Sequence, residues 1–172
     1  MNEFKISVII PAYNEAPTIS NLVSKIKSIY PDFEIIVIND GSEDETASLS
    51  KDAGALVHSH PYNIGNGAAI KSGIRIANGD ILVFMDGDNQ HDPEDIAKLL
   101  KYMTDYDMVV GARSSGDQAS LGRTFGNMIY NWFASYVAKF PVADLTSGFR
   151  AVKADIARNL LYLLPNTYSY PT

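Results

Sequence analysis

Residues 84–96 read FMDGDNQHDPEDI, a stretch that joins the end of an apolar run to the start of a helix. The run at 81–85 (ILVFM) has the length and composition of a buried strand. Asp86, Asp88, Gln90 and Asp92 then occupy every second position. Spacing by two puts side chains on one side of an extended backbone, where their oxygens can converge on a cation. Asp92-Pro93-Glu94-Asp95 is also a helix start: a capping residue, proline at the first helical position, then acids favoured by the helix dipole. Asp92 therefore reads as a cap. Asp86, Asp88 and Gln90 remain as candidate ligands.

The same strand-then-helix pattern recurs on either side. A strand at 5–10 precedes a helix with Ile19, Leu22, Val23, Ile26 and Ile29 on its apolar face. A strand at 33–38 leads to Ser42, read as an N-cap with Glu45 three residues later, opening a helix near 43–53. A short strand at 55–58, a helix at 66–77 and a strand at 80–85 follow, then a helix carrying Ile96, Leu99, Leu100 and Met103. Beyond it come a strand at 106–111, a Ser/Gly-rich loop at 114–120, a helix near 122–140, a segment at 147–153 and a final helix. This alternation predicts an α/β fold with a Rossmann-like, mainly parallel sheet and helices on both faces. Ligands of such sheets bind beyond the carboxyl ends of the strands. Residues 11–15, 39–42, 86–92 and 111–113 all fall at such ends.

A length of 172 residues predicts one domain, spanning 1–172. Cysteine is absent, which excludes disulfides, thiolate metal sites and thiol nucleophiles. A formal charge of −6 argues against non-specific nucleic-acid binding. No apolar run approaches the ~18–20 residues of a membrane span, and MNEFKISVII lacks a signal-peptide layout. Charge is uneven: residues 1–105 carry 8 Lys/Arg against 16 Asp/Glu, and 106–172 carry 6 against 4. The acidic part suits a metal, and the mildly basic part suits an anionic ligand.

Several nucleotide and metal motifs fail on inspection. Gly65-Asn66-Gly67 is followed by Ile70 where the dinucleotide fingerprint needs a third glycine, and Lys71-Ser72 lacks the glycine that precedes a P-loop lysine. In an EF-hand reading of Asp86, Asp88 and Gln90, the sixth-position glycine is His91 and the twelfth-position glutamate is Ala97. His58, His60 and His91, without cysteine, are more often unliganded than a zinc site. What remains is a hard-cation site with few protein ligands. Mg or Mn takes one or two carboxylates together with substrate phosphates.

VIIPAYNE (8–15), VINDGSEDET (37–46), NIGNGAAIKSG (63–73), FMDGDNQHDPEDI and DLTSGFRA (144–151) occur in an order that resembles family 2 glycosyltransferases, and in particular the polyprenyl-phosphate (dolichyl/undecaprenyl) mannose and glucose synthases. The resemblance spans essentially the whole chain. It implies a GT-A fold, a UDP- or GDP-sugar donor and an inverting transfer. It also implies that Pro11, Ala12, Tyr13, Glu15 and Asp40 hold the donor nucleoside. Asp86 then lies at the nucleotide–sugar end, with Asp88 and Gln90 at metal-binding positions. Arg113, Arg123 and Asn127 match the region that receives an acceptor phosphate. Members of the family normally continue further, so a domain truncated at its C-terminal end is expected, as is work at the cytoplasmic face of a membrane.

The residue types agree with that chemistry. A divalent ion neutralises the charge that grows on a nucleoside diphosphate as it leaves the anomeric carbon. A lipid phosphate is already anionic and needs positioning by guanidinium groups rather than a strong base. A sugar-hydroxyl acceptor, the alternative within the family, calls for a carboxylate base, and Asp144 is the one candidate in the C-terminal part. A nucleotidyltransferase would carry a glycine-rich basic loop after the first strand, and PAYNE is neither. A non-catalytic module would bind no nucleotide sugar with Mg or Mn. The aromatic helix near 122–140 (Phe125, Trp132, Phe133, Tyr136, Phe140) reads as core or as peripheral membrane contact.

Overall fold

A computed structural model describes residues 4–88, 90–111 and 147–166. The loop expected at 114–120, the helix expected near 122–140, Arg113, Arg123, Asn127 and Asp144 lie outside the described residues.

The first apolar run forms β1 (Ile6–Ala12), buried along its whole length and ending two residues later than its sequence pattern. It places Pro11 and Ala12 on the strand itself, paired with Ile38 and Asn39 of β2 (Glu34–Asn39). β1 also pairs in parallel with β4 (Ile81–Phe84), and β2 pairs in parallel with β3 (Leu56–Ser59). The sheet order is β3-β2-β1-β4-β6-β5, with β5 at Met108–Val110 and β6 at Arg150–Lys153. β6 runs antiparallel to both β4 and β5. The segment at 147–153 thus enters the sheet from the carboxyl end of β4, at the level where Phe84 faces Arg150.

Period-two alternation divides the apolar side chains between two cores. Val8, Ile10, Val37 and Val83 face α1 (Ile19–Ile29) and α4 (Ile96–Leu100). Ile9, Ile36, Ile38, Leu82 and Phe84 face α3 (Asn66–Ile76) and α5 (Ala154–Asn159). Burial of Ile19, Leu22, Val23 and Ile26 stabilises α1 by about 1.5–3 kcal/mol per side chain before chain entropy is counted. Both faces of a mainly parallel sheet are covered, as the uninterrupted apolar strands require.

Helix starts differ in how well local pattern foretells them. Asp92 Oδ1 accepts from Glu94 N–H at 2.9 Å, so it caps the 3₁₀ turn Pro93–Asp95 that leads into α4. Ser42 does not cap a helix. Helix α2 (Thr46–Asp52) begins four residues later, because the Ser42 hydroxyl accepts from Asn14 N–H at 3.0 Å instead.

Candidate active site

The β1–α1 and β2–α2 loops are stitched together by side chains. Asn14 adopts φ 55°, a left-handed conformation that asparagine tolerates, and its Oδ1 accepts from Glu43 N–H at 2.9 Å. Glu15 N–H donates to Thr46 Oγ1 at 2.8 Å, and Ala16 N–H donates to Asp44 Oδ2 at 3.0 Å. The Thr46 hydroxyl, followed by the Ala16 and Thr46 backbone N–H groups, holds the Asp44 carboxyl below the usual carboxylate range. Thr18 Oγ1 donates to the Gly87 carbonyl at 2.8 Å and so ties the start of α1 to the acidic loop after β4.

Seven residues nominated from sequence meet in one cleft of about 430 Å³: Pro11, Ala12, Tyr13, Glu15, Asp40, Asp86 and Asp88. They come from the carboxyl ends of β1, β2 and β4, three neighbouring parallel strands. Gln90 is exposed outside the cleft lining, and its N–H donates to Asp88 Oδ1 at 3.0 Å, closing a turn on that acid. Arg113, Arg123 and Asn127 lie outside the described residues.

The cleft also takes in Asn63, Asn66, Ala69 and Gly87, which were not nominated. The signal for three of them was NIGNGAAIKSG, which places Asn66 and Ala69 on the first turn of α3. Gly148 was missed as well. A Cβ there would overlap the Asp86 carboxylate, so the loop leading into β6 closes over this acid at backbone distance.

Asp40 is 3% exposed and serves as a hub. Its Oδ1 accepts from Ile64 N–H at 3.0 Å and lies 2.6 Å from His60 Nδ1, and its Oδ2 accepts from Gly65 N–H at 2.8 Å. Gly41, at φ +71°, allows the 60–65 loop to cross just beyond the end of β2, since a Cβ would overlap the backbone of Tyr62 and Asn63.

Four carboxylates (Glu15, Asp40, Asp86, Asp88) line the cleft, and among the described residues no Lys, Arg or His does. An anionic donor entering this field is repelled unless a cation accompanies it. Asp86 and Asp88 offer hard oxygen donors from one turn, a donor set that suits Mg or Mn and not a softer ion. Among the described residues, no group of three or more His, Cys, Asp or Glu is gathered to hold a metal by protein ligands alone.

A mainly parallel sheet with an acidic cleft at the carboxyl ends of its central strands defines an α/β domain with its ligand site at the strand ends, and comparison with known proteins gives its family. Residues 7–161 match the model of glycosyl transferase family 2, and the chain belongs to that family as a GT-A glycosyltransferase domain. It is 29% identical over 187 residues to an undecaprenyl-phosphate 4-deoxy-4-formamido-L-arabinose transferase of Photorhabdus laumondii, covering 98% of this chain and 58% of that protein. It is 39% identical over 122 residues to protein RfbJ of Shigella flexneri, covering 68% of this chain and 92% of that protein. Glucosyl-3-phosphoglycerate synthase of Mycobacterium tuberculosis, solved with Mn2+, UDP-glucose and phosphoglyceric acid, superposes with a TM-score of 0.73 at 25% identity, covering 89% of this chain and 57% of that one. The chain spans a little over half the length of that transferase and that synthase.

Proposed function

We propose that this domain transfers a hexose from a UDP- or GDP-sugar to a polyprenyl phosphate with inversion at the anomeric carbon. The observation that carries the reading is the cleft of four carboxylates in which Asp86 and Asp88 stand together at the end of β4. Pro11, Ala12, Tyr13, Glu15 and Asp40 form the nucleoside side of the cleft, and exposed Tyr13 offers a ring face to a base. Asp86 and Asp88, with Gln90 beside them, hold the divalent cation, Mg or Mn. When bound, that cation supplies charge neutralisation to the departing diphosphate.

The acceptor phosphate oxygen forms the new bond to the anomeric carbon as the bond from that carbon to the diphosphate breaks. No proton has to be removed from an ionised phosphate, so the acceptor side needs positive charge rather than a base. Arg113 and Arg123, with Asn127, supply that clamp through forked hydrogen bonds. A polyprenyl-phosphate acceptor brings the domain to a membrane surface, and the UDP- or GDP-sugar places it on the cytoplasmic side. Among the described residues no helix is long and apolar enough to cross a membrane. Residues 1–172 act as one domain.

The test is transfer from radiolabelled UDP- and GDP-sugars to undecaprenyl phosphate, with and without Mn. Metal-dependent formation of a lipid-linked sugar is expected, and loss of it in Arg113→Ala. Robust transfer to sugar hydroxyls with none to the lipid phosphate would overturn the acceptor assignment.

A further inference from the structure

Asp40, His60 and Ser72 form a line of three side chains, buried at Asp40 and His60 and half-buried at Ser72, of which only Asp40 lines the cleft. His60 Nδ1 lies 2.6 Å from Asp40 Oδ1, and His60 Nε2 lies 2.8 Å from Ser72 Oγ. His60 is 9% exposed. Its own N–H donates to the Asn39 carbonyl at 2.9 Å, extending the parallel β2–β3 ladder by one rung. The imidazole therefore spans from the end of β2 to the middle of α3, the helix whose first turn lines the cleft.

The acceptor count on Asp40 gives this line a consequence. An ionised carboxylate has about four lone-pair positions. Among the described residues three are taken, by His60 Nδ1–H, Ile64 N–H and Gly65 N–H, which leaves one, on Oδ2. A rotation of the carboxylate by a few tens of degrees would misdirect that one position. The two backbone donors belong to a single loop and move together. His60 opens the same loop and is the donor fixed outside it, through its ladder bond to Asn39 and through Ser72.

We propose that His60, braced by Ser72, is a positioning residue of the donor pocket, acting through Asp40. Its ring N–H holds the Asp40 carboxylate so that its one remaining acceptor meets a ring N–H of the nucleotide base. This rests on the reading of Asp40 as a nucleoside contact. A satisfied core histidine with no such role would contribute to stability alone, and the two roles separate by ligand.

UDP and GDP engage both the Asp40 side and the Asp86–Asp88 side of the cleft, whereas pyrophosphate engages the second alone. Calorimetric titration of each with Mn, on the wild-type protein and on His60→Ala, His60→Asn and Ser72→Ala, decides the matter. His60→Ala is expected to weaken binding of the preferred nucleotide by about tenfold or more, as loss of a hydrogen bond to a charged group does, with Mn–pyrophosphate affinity within about twofold of wild type. His60→Asn, whose amide can donate where Nδ1–H did, restores most of the nucleotide affinity. Ser72→Ala, which keeps the imidazole, weakens nucleotide binding about threefold, and it carries the test if His60→Ala does not fold. Nucleotide affinity unchanged in His60→Ala or Ser72→Ala overturns the proposal, as does equal loss of pyrophosphate binding. A wild-type protein that binds neither UDP nor GDP with Mn overturns the donor reading and this inference with it.

Discussion

Gly148 stands so close to Asp86 that a Cβ added at Gly148 would overlap the Asp86 carboxylate. The contact joins the loop before β6 to the loop after β4, and it makes the position of a candidate metal ligand depend on a missing side chain. Gly148→Ala is expected to displace the carboxylate while leaving the sheet intact. Calorimetry should show UDP–Mn affinity reduced by about tenfold or more, with Tm changed by only a few degrees. Wild-type affinity in this variant would mean that Asp86 has no fixed role in the cleft.

Gly41 poses a backbone constraint of a different kind. At φ +71° an L side chain costs about 1–2 kcal/mol, and here a Cβ would also overlap the Tyr62 and Asn63 backbone. Gly41→Ala should lower the free energy of unfolding by at least about that amount. It should also disturb the 60–65 loop that supplies two donors to Asp40. Urea unfolding and nucleotide binding of the same variant check both effects.

Asp92 separates structure from chemistry within the acidic stretch. It caps the 3₁₀ turn and pairs with Lys25 at 2.9 Å. The Glu94 N–H, and after it the Lys25 ammonium, hold its carboxyl below the usual range. Asp92→Ala is expected to lower Tm while leaving Mn-dependent nucleotide binding as in wild type. Loss of metal-dependent binding would return Asp92 to the ligand set.

At the opposite end of the sheet, Glu34 accepts from Asn78 N–H at 2.8 Å, from Asn78 Nδ2 at 2.7 Å and from the Ser7 hydroxyl. Partial burial raises its pKa, but these hydrogen bonds outweigh that effect and lower it overall. A carboxyl depressed on folding stabilises the protein above its unfolded pKa, and that contribution is lost as pH falls through the folded value. Urea midpoints between about pH 3 and 6 should therefore fall more steeply in wild type than in Glu34→Gln.

The strands were legible because each is a short apolar run followed by turn or capping residues. Ile9 against Val8 and Ile10 shows both faces covered, as an unbroken run implies. Ser42 misled because its hydroxyl is taken by Asn14, a partner 28 positions away that local pattern cannot supply. The antiparallel β6 was hidden for a similar reason: four residues pair between β4 and β5 only once the sheet exists. Most of the cleft's lining was readable from strand ends. His60 was not, since its partners at positions 40 and 72 meet it only through the β2–β3 register and the packing of α3.

The central claim is that Asp88 and Asp86 bind a nucleoside diphosphate through a divalent cation. The most direct measurement is the thermal stability of wild-type protein and Asp88→Ala with UDP or GDP, each with and without Mn. At a ligand concentration of a hundred times Kd, stabilisation of about 2.7 kcal/mol is expected for wild type with nucleotide and Mn together, and little with nucleotide alone. Asp88→Ala should lose this metal-dependent increment. Equal stabilisation of the variant and wild type would contradict the account.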